Sequence, residues 1–287
     1  MGLRPVKERL KLGKIGYLNV LPVYYPLESG AVAHSFDIVA GTPARLNRLM
    51  AQGRLDVSAI SSIEYARHPE RYFIVPDLSI SCRGPVRSVL LLSRVPVEKL
   101  DGRTVLLTAQ SHTSQALLRI LFARRLGLEA SFQEGRLREQ FQEGGRPQAF
   151  LAIGNEALCL SHHPDYPYCL DLGRAWHEWT GLPFVFGLWA VQRAAVEAWN
   201  GRLESGLSQL AAAKEWGAGH RSEICRVAEA QGILDCRRLE DYYRRLGFDL
   251  GQGEMEGLSR FFRYLHEAGE IDRVPPLEFY SPLASVA

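Results

Sequence analysis

No stretch of the 287 residues approaches the ~20 consecutive apolar positions of a membrane-spanning helix, so no span is expected. An excess of one charge is missing too. Lys and Arg number 34 against 32 Asp and Glu, a net +2 that gives no bulk field for nucleic acid. Basic clusters at residues 119–125 and at Arg237-Arg238 fall on helical stretches and read as solvated faces. Cysteine is scarce: Cys82, Cys159, Cys169, Cys225 and Cys236 are odd in number and lack CxxC spacing. That argues against a disulfide framework and a compact zinc motif, and fits reduced thiols in the cytosol. GxxxxGK[ST], GxSxG and HExxH are all absent. The glycines Gly251, Gly253 and Gly257 miss the dinucleotide spacing by one residue and follow no strand pattern; His162-His163 lies in a Pro-containing loop and reads as surface. Covalent catalysis, metal hydrolysis and hydride transfer thus lack their usual markers. An enzyme with this sequence works by orientation, hydrogen bonds and proton transfer.

The N-terminus has parts of an export signal without its centre. Arg4, Lys7, Arg9 and Lys11 precede Ala31-Val32-Ala33, but Asn19, Pro22, Tyr24, Tyr25 and Pro26 interrupt the run between them. A signal core is a continuous apolar block, so mature, cytoplasmic protein is expected.

With 46% hydrophobic and 23% charged residues, the composition is that of a globular protein of one large or two ordinary domains. Residues 36–40 read as a strand broken by Gly41, and Thr42-Pro43 then open a helix whose Leu46, Leu49 and Met50 share one stripe. Residues 55–60 form a second strand, after which Ser62 is expected to cap a short helix over 63–67. Further strands are expected at 72–75, 78–81, 86–92 with Ser88 inside it, 105–107, 149–153, 168–172 and 184–191. Ser111-His112-Thr113-Ser114 precedes a helix over 115–126. Such a hydroxyl run serves either as ordinary capping or as an anion cradle at the positive end of the helix. A helix is expected at 173–180, and only helices follow residue 191: 193–216, 222–231, 236–246 and 254–268.

This alternation predicts an α/β fold of mixed sheets flanked by helices, in two lobes with a ligand between them. The expected division is 14–93 for the first lobe, 94–188 for a second lobe inserted into it, and 189–287 for the return strand and C-terminal helices. Gly16-Tyr17-Leu18-Asn19-Val20-Leu21-Pro22 is the stretch on which this plan turns. It joins a strand end to a helix start, with Pro22 suited to the first turn. Asn19 there either caps the helix or aims into the cleft beyond the strand ends.

That block resembles the MqnA family, as do residues 55–65 (LDVSAISSIEY), 76–81 (PDLSIS), 84–88 (GPVRS), 111–114 (SHTS) and 178–186 (EWTGLPFVF). These are the chorismate dehydratases of the futalosine route to menaquinone. The resemblance runs from about residue 14 to the C-terminal helices. It implies a two-lobed, type II periplasmic-binding-protein fold in a cytoplasmic enzyme. It also implies conversion of chorismate to 3-[(1-carboxyvinyl)oxy]benzoate without metal or organic cofactor. The family's catalytic asparagine and serine match Asn19 and Ser88. Ser111, Thr113 and Ser114 are then the expected carboxylate site, with Ser61, Ser62 and Asn155 as further lining residues. The base is expected to be the substrate's own enolpyruvyl carboxylate or, alternatively, Glu64. The partner implied is one small molecule, with neither nucleic acid nor membrane. A 1,4-dihydroxy-6-naphthoate synthase of the same pathway and a non-catalytic solute-binding protein are the alternative readings.

Overall fold

The computed structural model describes residues 9–108, 111–142, 144–199 and 201–282. Arg4 and Lys7 of the basic N-terminal stretch lie outside them. Eleven strands are found among the described residues: β1 Leu10–Ile15, β2 Phe36–Gly41, β3 Val57–Ser61, β4 Tyr72–Cys82, β5 Val89–Ser93, β6 Thr104–Thr108, β7 Ser131–Gly135, β8 Ala149–Ile153, β9 Tyr168–Asp171, β10 Phe184–Gln192 and β11 Leu246–Gly247. They form two mixed sheets, ordered β11-β4-β10-β3-β1-β2 and β7-β6-β8-β5-β9. The chain leaves the first sheet after β4, builds the second, and returns on β10, which lies antiparallel between β3 and β4. Both sheets are covered by helices, so strands such as β5 are apolar on both faces. Leu91 enters the main core, while Leu90 and Leu92 join a smaller cluster with Phe150 and Tyr166. Among the described residues no helix is long and apolar enough to cross a membrane.

Residues 72–82 form one strand rather than two. Asp77 sits within it at a φ of +51°. The nearly buried Lys214 ammonium holds that irregularity by bonding the Asp77 carbonyl at 3.0 Å, its carboxylate at 2.7 Å and Asp249 at 2.8 Å. Burial alone raises the Asp77 carboxyl, but bonds from Lys214 and the Leu250 N–H outweigh it, and the net shift is downward.

The expected strand over 86–92 also differs. β5 begins only at Val89 and pairs with β8 and β9 in the second sheet. The crossing between sheets is therefore the turn 83–88, and Ser88 precedes the strand rather than lying inside it. Arg87 takes a left-handed φ of +65° there, which no feature of its residue type announces. The Asp171 carboxylate holds this turn by accepting from the N–H groups of Val86 at 3.1 Å and Arg87 at 2.7 Å. It also caps the helix Leu172–Thr180 through the N–H of Arg174.

The helix after the hydroxyl run starts earlier than expected, spanning His112–Ile120, and continues as a π turn to Leu126. β7 and the helix Leu137–Gln142 carry no clear apolar alternation and were not anticipated. Within the expected helix 193–216 and beyond it, the described residues are helical over Arg193–Trp199 and Gly201–Gly219. The second packs on the helix Leu21–Glu28 at very close range. Pro26 removes the N–H that would have bonded the Pro22 carbonyl, and Gly217 takes up the space over that carbonyl. A Cβ at residue 217 would stand 1.9 Å from the Pro22 oxygen.

Candidate active site

A cleft opens between the two sheets and encloses about 830 Å³ of empty space, open mouth included. Strand ends supply much of its wall, with Ile15 closing β1, Ile60 and Ser61 closing β3, and Ile153 closing β8. Apolar side chains including Ile80, Val86, Val89, Phe186 and Leu246 fill in around a few polar groups. Among the described lining residues the titratable side chains are Tyr17 and His112; no Asp, Glu, Lys, Arg or Cys lines the cleft. The Tyr17 phenol is pushed up to about 12 by burial and, secondarily, by the Glu156 carboxylate. Among the described residues no three His, Cys, Asp or Glu side chains gather as a metal site would require.

Asn19 lines this cleft. It sits in the 3₁₀ turn Leu18–Val20, and the helix that follows is capped at Val20 with no side-chain bond, so Asn19 is not a cap. Its Oδ1 is buried and has no hydrogen-bond partner. An unmet buried acceptor costs about 1–3 kcal/mol, a penalty that a bound donor removes. The backbone beside it is held from two directions. The Leu18 N–H donates to Asn155 Oδ1 at 3.1 Å, and Tyr243 donates its phenol to the Leu18 carbonyl at 3.1 Å.

Ser88 faces Asn19's cleft from the crossing turn and is 3% exposed. Its carbonyl accepts from Gly154 N–H at 2.7 Å, and its hydroxyl accepts from Tyr242 at 3.0 Å. Gly154 adopts a φ of +55°, and a Cβ there would press on the Tyr17 ring at 3.2 Å. Glycine at 154 thus lets Tyr17 lie flat against the cleft wall while the Ser88 backbone stays bonded.

The remaining expected residues divide. Ser61, Ser111 and Ser114 line the cleft; Ser62, Thr113 and Asn155 are absent from its lining. Ser62 lies inside the helix Ser62–Arg67 instead of capping it, and its hydroxyl donates to the Val185 carbonyl at 2.6 Å. Thr113 turns the other way from Ser114 and accepts from Ile63 N–H at 3.1 Å, satisfying the first turn of that helix across the two sheets. Asn155 serves Leu18 as described. Ser111 is the cap of His112–Ile120, accepting from Ser114 N–H at 3.2 Å, while Ser114's own hydroxyl lies 2.9 Å from it. Ser111 is therefore both a cap and a cleft-lining residue. Glu64 is absent from the cleft lining, and its carboxylate accepts from Tyr72 at 2.9 Å.

Several lining residues were not anticipated. Asn47 presents a second buried, unpartnered Oδ1 from the helix Pro43–Ala51. Its sequence signal is a polar residue beside the apolar stripe of Leu46 and Met50. His112 stands at the mouth, exposed, inside the hydroxyl run. Tyr242 and Tyr243 lie outside the lining; flanked in sequence by Asp241 and Arg244, they share the buried face of the helix Cys236–Arg245 with Leu239.

Two mixed sheets, one inserted into the sequence of the other, with a cleft at the strand ends, define a periplasmic-binding-protein-like α/β protein. A Candida albicans protein described as having the generic periplasmic binding protein fold superposes with a TM-score of 0.70 at 11% identity, over 97% of this chain and 99% of that one. Within that class, the model of the menaquinone biosynthesis family matches residues 10–267, and the chain belongs to this family. A chorismate dehydratase of Thermus thermophilus is 30% identical over 270 residues, covering 87% of this chain and 93% of the relative. A 1,4-dihydroxy-6-naphtoate synthase of the same organism is 25% identical over 270 residues, covering 89% and 93%.

Proposed function

We propose that the protein is a chorismate dehydratase, a hydro-lyase of the futalosine route to menaquinone, acting in the cytoplasm. The observation that carries this reading is the buried Asn19 amide oxygen, unpartnered in a cleft shared with the Ser88 hydroxyl, with no carboxylate among the described lining residues. The higher identity to the dehydratase favours it over the naphthoate synthase.

Chorismate carries two carboxylates, a C4 hydroxyl and a C3 hydrogen whose loss sends charge through the C1–C2 double bond to the ring carboxylate. The electron pair then returns, forms the C3–C4 double bond and expels the C4 hydroxyl. Proton and hydroxyl leave together as water, and the ring becomes aromatic, which drives the reaction. Ser111 and Ser114, at the positive end of His112–Ile120, hold a carboxylate. Asn19 Oδ1 accepts from the C4 hydroxyl and Ser88 donates to its oxygen as it departs; one preorganised donor such as Ser88 is worth ~3–4 kcal/mol. With Glu64 turned to Tyr72, the enolpyruvyl carboxylate of the substrate takes the C3 proton.

Incubating the purified protein with chorismate tests this. Loss of the diene absorption, with a product lighter by one water, is expected. An unchanged spectrum on tight binding points to a solute-binding protein. Inertness toward chorismate with cleavage of the cyclic futalosine derivative points to the naphthoate synthase.

A further inference from the structure

The helix Cys236–Arg245 buries two consecutive tyrosines, Tyr242 at 2% and Tyr243 at 3% exposure. Packing alone asks only for the rings; a buried phenol costs free energy unless its O–H is bonded. Successive helical residues diverge by about 100°, and the two hydroxyls reach different places. One meets Ser88 Oγ at 3.0 Å, 154 residues away in sequence, and the other the Leu18 carbonyl at 3.1 Å, 225 residues away. We propose that Tyr242 and Tyr243 are positioning residues that set the two reacting groups of the cleft, Tyr242 through the Ser88 hydroxyl and Tyr243 through the backbone that carries Asn19. This rests on the dehydratase reading above.

Tyr242 is the donor in its bond, so it fills a lone pair of Ser88 Oγ and leaves the serine proton to point elsewhere. The other acceptor near that proton is the Val86 carbonyl at 3.5 Å, beyond the ~2.5–3.0 Å of a good O–H···O bond. Ser88 is thereby set to donate into the cleft, toward a departing hydroxyl, with the Tyr242 bond polarising it further. Burial pushes the Tyr242 phenol well above its ordinary range, so it stays a donor across neutral pH. Tyr243 acts on the other wall. With Asn155 on the Leu18 N–H and Tyr243 on the Leu18 carbonyl, both backbone groups preceding Asn19 are tied by side chains from distant segments. The Asn19 amide can then remain unpartnered without its turn drifting.

The test is a double-mutant cycle on chorismate turnover, with thermal unfolding of each variant. Tyr242→Phe removes one oxygen and keeps the ring. It is expected to lower kcat about tenfold, the worth of one hydrogen bond, with KM changed less than about twofold. In a Ser88→Ala background the same change is expected to alter kcat by less than about twofold, because the group through which it acts is gone. Tyr243→Phe paired with Asn19→Ala is expected to be non-additive in the same way, and it provides the test if Tyr242→Phe fails to fold. Multiplying losses, as independent structural damage gives, or an unimpaired folded Tyr242→Phe, overturn the inference alone. A wild-type protein that leaves chorismate intact overturns the dehydratase reading and this inference with it.

Discussion

The two walls of the cleft hold their key side chains in opposite ways. On the first-sheet wall Asn19 is fixed through its backbone neighbour Leu18, and its amide oxygen is left without a partner. On the crossing turn Ser88 is fixed through the side chain itself, by Tyr242, as well as through its carbonyl. The first arrangement stores an unmet polar group for the ligand to satisfy. The second fixes in advance which way a proton points. On the dehydratase reading proposed above, the two arrangements serve to grip and polarise a hydroxyl in a cleft without carboxylates or cations in its described lining.

The contrast breaks most visibly at Asn19. Asn19→Ala is expected to lower kcat for chorismate about 10²–10³-fold, as loss of one preorganised polar contact does, with little change in denaturant midpoint. Relieving an unmet buried acceptor costs the fold nothing. Steady-state kinetics and urea unfolding on one preparation check both halves. Asn155→Ala should do the reverse, leaving the Leu18 N–H unbonded and lowering unfolding free energy by about 1–3 kcal/mol, with a smaller kinetic loss.

Adjacent residues sharpen the same division. Thr113→Val removes the acceptor for Ile63 N–H and is expected to cost about 1–2 kcal/mol of stability, with kcat nearly unchanged. Ser114→Ala is expected to raise KM for chorismate and leave stability within about 0.5 kcal/mol. A Thr113 variant that raises KM as strongly as Ser114→Ala removes the distinction. The smallest effect belongs to Tyr17. Its phenol is raised above the ordinary ~10 to about 12, so the fold favours the protonated form. That contribution is complete below pH ~10 and is lost as pH rises through about 12. Tyr17→Phe should therefore flatten part of the alkaline loss of stability in pH-dependent urea unfolding and leave the neutral range unchanged.

How much of this was legible in sequence follows from where direction is encoded. Thr42-Pro43 reads as a helix start because both residues act locally, and Thr42 indeed accepts from Arg45 N–H. Asn19 is legible as a residue between strand and helix. The choice between capping and facing the cleft needed the 3₁₀ turn to be seen. Ser62 and Thr113 read like their neighbours Ser61 and Ser114, because a pattern of hydroxyls does not say which way a helix is rotated. One residue is about 100° of rotation, enough to turn a lining group into a clamp on the opposite segment. The crossing turn hid for a different reason. An arginine gives no sign that it adopts positive φ, and the Asp171 that holds it there is 84 residues away. Tyr242 and Tyr243 were legible only as part of a helix, since their contacts are made by two hydroxyls that meet partners only in the folded chain.

The most direct test of the central claim is a crystal structure of the Ser88→Ala variant with chorismate bound. The account predicts the C4 hydroxyl within ~3.2 Å of the Asn19 amide, over the position 88 side chain, with a carboxylate at Ser111 and Ser114. A ligand whose C4 hydroxyl faces away from both residues, or one seated outside the cleft, would contradict it.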